Sequence, residues 1–135
     1  MFLSKLPDVG TTIFSEMTAL ANEVGAVNLS QGFPDFHSDS TLCELLARAT
    51  KDGNNQYAPM PGLLALREAV TKKYMDVFGV AVDPASEVTI TPGGTAALAS
   101  AIAAVVRPGQ EVIVFEPCYD SYGPAIRLCG GVVRP

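Results

Sequence analysis

The sequence is poor in the residues on which several chemistries depend. It has no tryptophan, a single histidine (His37) and three cysteines, Cys43, Cys118 and Cys129, with no CxxC spacing among them. An odd, widely separated cysteine set argues against a disulfide framework, and one histidine without a second donor at helical spacing argues against a metal centre. The thiols are expected to be free and buried. Basic residues are scarce as well: nine Lys and Arg against fourteen Asp and Glu give a formal charge of −5. No basic cluster is available to meet a polyanion, so nucleic acid and anionic membrane surfaces are not expected partners. No apolar run reaches membrane-spanning length; the longest, Ala96 to Val106, ends at Arg107 and Pro108. The opening MFLSKLPDVG lacks the apolar core of a secretory signal, which makes the cytoplasm the expected location.

What is present describes a folded domain, because 48% hydrophobic residues with 17% charged is too apolar for a disordered chain. Ile13, Met17, Leu20 and Ala21 share one face of a helix over Thr12 to Asn22, with Gly25 as its stop. Val27 and Leu29 then alternate with polar neighbours into the turn-rich SQGFPDF. Thr41 and Glu44 have capping-box spacing ahead of a stripe of Leu42, Leu45, Leu46 and Ala49, and this second helix ends near Asp52-Gly53. NNQYAPMPG reads as a loop. After it, Leu63, Leu66, Val70 and Tyr74 recur at helical spacing until Phe78-Gly79 closes a third helix.

From Glu87 the pattern changes. Val88 and Ile90 alternate as in a strand, Thr95 to Val106 is helical, Glu111 to Phe115 (EVIVF) is a compact strand, Ser121 to Cys129 is helical, and Val132-Val133 begins another strand. That β-α-β-α-β order predicts an α/β fold with a parallel sheet and helices on its faces. Ligands on such sheets sit beyond the carboxyl ends of the strands, where the loops Thr91 to Thr95 and Glu116 to Tyr122 fall. A sheet of two or three strands leaves apolar surface uncovered, so the chain is expected to be the N-terminal part of a longer protein.

The stretch TITPGGTAAL places Pro92-Gly93-Gly94-Thr95 between a strand and a helix. Glycines there let the backbone approach a ligand, and the helix start offers unpaired N–H groups to an anion such as phosphate. It is neither a dinucleotide fingerprint nor a P-loop, since the glycines are adjacent and no lysine follows. On local sequence alone, a Gly-Gly turn serving only tight strand-to-helix packing is the alternative.

Other segments bear on that choice. VNLSQGFPDF (27–36), NQYAPMPGLLALREAV (55–70), EVTITPGGTAAL (87–98) and EVIVFEPCYDSY (111–122), in this order, resemble the opening of the class I aminotransferases, pyridoxal-phosphate-dependent enzymes of fold type I. The methionine and kynurenine (glutamine) aminotransferase subgroup is the nearest in pattern. The resemblance implies an α/β fold with three segments. Residues 1–36 would be an N-terminal arm and substrate loop, 37–80 a helical small-domain and dimer-contact segment, and 81–135 the start of the large cofactor-binding domain.

It also implies pyridoxal 5'-phosphate as cofactor. Gly93, Gly94 and Thr95 would hold its phosphate, with Thr95 Oγ1 as an extra donor, and Tyr119 would stack on its ring. Tyr57 would reach across a homodimer to the phosphate of the other subunit. Gly32 would face the substrate carboxylate, and Phe14 would line a side-chain pocket suited to a thioether or apolar amino acid. Tyr122 and Asp120 are expected to support the loop, and His37 to be solvated. No lysine among Lys5, Lys51, Lys72 and Lys73 lies in the context of the family's covalent lysine, so residues 1–135 alone are expected to be inactive. Two alternatives stand beside amino transfer by the whole protein: β-elimination from cysteine conjugates, and a non-catalytic truncated product.

Overall fold

The computed structural model describes residues 3–135. In chain order the elements are α1 (Ile13–Val24), α2 (Ser40–Lys51), α3 (Leu64–Phe78), α4 (Gly94–Val105), β1 (Glu111–Ile113), α5 (Tyr122–Leu128) and β2 (Val132–Arg134). They pack as two compact units, Met1–Phe33 with Gly93–Pro135, and Pro34–Pro92. No helix among the described residues is long and apolar enough to cross a membrane.

In the first unit, α1 begins where the Thr12 side chain accepts from the Ser15 amide at 3.3 Å. It ends where Gly25 turns left-handed and its N–H reaches Ala21 O. Both are ordinary helix punctuation. β1 and β2 pair in parallel, Glu111 with Val132, Val112 with Val133 and Ile113 with Arg134. Parallel strands need a crossover, and α5 supplies it, packing on β2 and on α4. Ile126 of α5 is 1% exposed and forms the centre of this core, with Val114 also buried. Ile113 and Phe115 remain exposed on the uncovered side of the sheet.

The second unit carries α2 and α3. Asp39 caps α2, accepting from the Thr41 amide at 2.8 Å, and Gly79 closes α3 with its N–H on Met75 O. Arg67 is its buried charged residue. The guanidinium is satisfied by backbone carbonyls, Nε donating to Gly62 O at 3.1 Å and Nη1 to Pro84 O. The Ile90 amide donates to Pro61 O at 3.0 Å, which joins the turn before α3 to the segment that leads toward Gly93.

Three expectations need correction. Glu87 to Thr91 forms no strand: a strand is defined by a ladder, and among the described residues the sheet contains only β1 and β2. The cysteines are free but not buried, Cys43 and Cys118 being exposed and Cys129 half-buried. Cys43 lies on α2, which buries none of its residues, including its leucine stripe. The start of α2 is set by Asp39 and not by a Thr41–Glu44 box, because an aspartate two residues earlier is the stronger acceptor for the first-turn amides.

Candidate functional site

The first unit contains a cavity of about 790 Å³, a volume suited to a small molecule. Its wall on α1 includes Phe14 and Thr18, one helical turn apart on the same face. The loop after α1 contributes Gln31 and Phe33, the start of α4 contributes Thr95, and the loop before α5 contributes Tyr119 and Asp120.

Aromatic contacts fix one side. The Tyr119 ring centroid lies 6.1 Å from that of Phe14 at an interplanar angle of 33°, and 6.1 Å from that of Tyr122 at 60°. Both separations are in the attractive range for tilted rings. The loop that carries Tyr119 follows a cis Glu116–Pro117 bond.

The other side is the start of α4. Gly93 occupies φ 104°, ψ 163°, a conformation that side chains rarely adopt, and its carbonyl accepts the first helical bond, from Ala97 at 3.2 Å. The amides of Gly94, Thr95 and Ala96 precede that bond, and no side chain caps them. Thr12 and Asp39 do provide side-chain caps for α1 and α2. A Cβ at Gly93 or Gly94 would meet nothing within 4 Å, so the space in front of the helix is open. No lysine or arginine lines the cavity among the described residues. Positive potential there therefore comes from backbone amides and the helix dipole, equivalent to about half an elementary charge.

An anion at α4 and a planar ring against Tyr119 fit this arrangement, which is what pyridoxal 5'-phosphate presents. Thr95, Tyr119 and Phe14 are brought together by the cavity, with Gly93 and Gly94 immediately before Thr95. Gly32 stands between two lining residues, Gln31 and Phe33, with open space where a Cβ would be. Tyr57 belongs to the other unit, on the loop between α2 and α3, and its side chain is fully exposed at 101%. His37 is exposed. Gln31 and Phe33 were not singled out from the sequence, although their position on either side of Gly32 was the available signal. Asp120 was read as a loop residue and faces the cavity.

A parallel β1–α5–β2 crossover, with the glycine-bearing start of α4 beside an aromatic cavity, is the α/β arrangement of the fold type I class. The family model for aminotransferase class I and II matches residues 24–135, and the chain belongs to that family. Its members use pyridoxal 5'-phosphate.

The chain is 55% identical over 131 residues to the methionine aminotransferase of Escherichia coli (strain K12), covering 97% of this chain and 34% of the relative. It is 36% identical over 129 residues to kynurenine–oxoglutarate transaminase 3 of Rattus norvegicus, covering 95% of this chain and 28% of that protein. A crystal structure of the Escherichia coli protein YbdL, described as having a methionine aminotransferase function, superposes with a TM-score of 0.94 at 54% identity, over 99% of this chain and 35% of the other. The chain thus spans about a third of the length of the relatives it matches.

Proposed function

We propose that these residues form the phosphate-anchoring and ring-facing part of a pyridoxal-phosphate-dependent aminotransferase. Its amino donor is methionine or another apolar or aromatic amino acid, and its acceptor a 2-oxo acid. The observation that carries the proposal is that Thr95, at the side-chain-uncapped start of α4, lines the same cavity as Tyr119 and Phe14. Identity to a methionine aminotransferase supports the donor class.

Pyridoxal 5'-phosphate, when bound, supplies the electron-withdrawing ring through which an amino group leaves one carbon skeleton and enters another. The chain's own part is binding and orientation. The amides of Gly94 and Thr95 and the Thr95 hydroxyl would donate to the phosphate, with the conformation of Gly93 leading into that helix start. Tyr119, steadied by Phe14 and Tyr122, would offer its ring to the cofactor's pyridine and help to orient it. Gly32 presents backbone to the substrate carboxylate, and Phe14 packs against the donor side chain and excludes water from it. Tyr57, fully exposed in this chain, serves the phosphate site of a second subunit in a homodimer. The three segments 1–36, 37–80 and 81–135 divide these tasks into substrate loop, dimer contact and cofactor domain. Exposed free thiols at Cys43 and Cys118 suit a reducing compartment, the cytoplasm.

No lysine among the described residues lines the cavity, so residues 1–135 alone are expected to give no turnover. The proposal is tested on the intact protein loaded with pyridoxal 5'-phosphate, by following conversion of methionine to its 2-oxo acid with a 2-oxo acid acceptor. Cofactor-dependent transfer, lowered for methionine in Phe14→Ala, supports it. Absence of transfer with every apolar and aromatic donor, or turnover by residues 1–135 alone, overturns it.

A further inference from the structure

The segment after α1 turns polar side chains toward that helix. Val27 and Leu29 are 83% and 89% exposed, whereas Asn28 and Ser30 between and beside them are half-buried. Turning amide and hydroxyl groups inward is unfavourable unless they are hydrogen-bonded, and here they are. Asn28 Nδ2 donates to Thr18 Oγ1 at 3.0 Å, while Asn28 Oδ1 accepts from the Ser30 amide at 3.0 Å and from Ser30 Oγ at 2.6 Å. One side chain therefore joins the middle of α1 to the backbone just before Gln31-Gly32-Phe33. Thr18, Gln31 and Phe33 all line the cavity.

We propose that Asn28 is the positioning residue of the substrate-facing loop. By bridging Thr18 on α1 to Ser30, it holds Gln31, Gly32 and Phe33 against the cavity at a fixed distance from Phe14. A local turn alone needs only the Asn28–Ser30 bonds, which span two residues. The bond to Thr18 spans ten, and it is the one that registers the loop against the cavity wall. The assignment to substrate binding rests on the aminotransferase reading; the bracing of the loop does not.

The experiment uses the intact protein with Thr18→Val and Thr18→Ser, and two measurements. Amide exchange at Ser30 reads the brace directly, because its acceptor is Asn28 Oδ1. Thr18→Val leaves both Asn28 and Ser30 unaltered, yet exchange at Ser30 is expected to rise roughly three- to tenfold, the equivalent of one neutral hydrogen bond. Thr18→Ser, which keeps the hydroxyl, should restore it. In steady-state kinetics with methionine, Thr18→Val should raise KM several-fold, and Thr18→Ser should return it toward the unaltered value.

Unchanged exchange at Ser30 in Thr18→Val, or failure of Thr18→Ser to restore it, overturns the proposal. So does a uniform rise in exchange across α1, α4 and α5, which would mark general destabilisation. Coupled loosening at Ser30 with KM unchanged overturns the substrate assignment. Coupled loosening in a protein without amino transfer supports the brace and overturns the aminotransferase reading.

Discussion

Gly62→Ala gives the sharpest stability prediction. Gly62 has φ +98°, and a Cβ there would lie 2.4 Å from Ile90 Cγ1 and 2.6 Å from Ile90 Cβ. The left-handed backbone adds about 1–2 kcal/mol for a residue with a Cβ, and the overlap adds about 1–3 kcal/mol by forcing neighbours to shift. The overlap cannot be relieved freely, because the Ile90 amide is bonded to Pro61 O and Gly62 O holds Arg67 Nε. The expected loss is about 2–5 kcal/mol, a large part of the stability of an ordinary domain.

Gly25→Ala is the control, with φ +66° and nothing within 4 Å, so only the backbone component applies. Denaturant unfolding of the intact protein should place Gly62→Ala well below Gly25→Ala. Adding Ile90→Ala should recover part of the difference, since it removes the atom at 2.4 Å and leaves the one at 2.6 Å. Equal losses in the two glycine variants would refute the reasoning.

Gly93→Ala is expected to weaken pyridoxal 5'-phosphate binding about ten- to a hundredfold, because φ 104° with ψ 163° carries a strain of about 1–3 kcal/mol for any side chain. Gly94→Ala, in helical backbone with open space around it, should bind within about threefold of the unaltered protein in the same titration, near the 0.5 kcal/mol of an uneventful change. Tyr119→Phe should retain cofactor affinity, whereas Tyr119→Ala loses aromatic contacts each contributing about 0.5–1.5 kcal/mol and should release cofactor faster on dilution.

At α2, hydrogen bonds from the Thr41 side chain, then from the Thr41 and Leu42 amides, hold the Asp39 carboxyl below its usual value. A lowered folded-state pKa means that this cap is fully effective above the unfolded aspartate value of about 3.9 and is lost as pH falls through the folded one. Amide exchange in the first turn of α2 should rise over that acidic window, and Asp39→Asn should flatten the dependence.

The parts of this molecule legible in its sequence are those decided within a few residues. Gly25 and Gly79 end their helices because a left-handed residue there satisfies the last carbonyls, and that requirement is visible in a single letter. The same locality made the glycine turn into α4 at Gly93-Gly94 readable, and Phe14, Thr95 and Tyr119 line one cavity. Expectations failed where the outcome depends on a distant partner. Val88 and Ile90 have the alternation of a strand, but alternation specifies which face is apolar and not whether a neighbour exists to complete a ladder. Cys43 has the chemistry of a buried residue, on a helix none of whose residues is buried. Asn28 shows the converse. Its amide meets the hydroxyl of Thr18, ten residues earlier, while its neighbours Val27 and Leu29 are exposed among these residues. Binary patterning could not foresee this, because the deciding interaction is between two polar groups whose worth depends on their meeting.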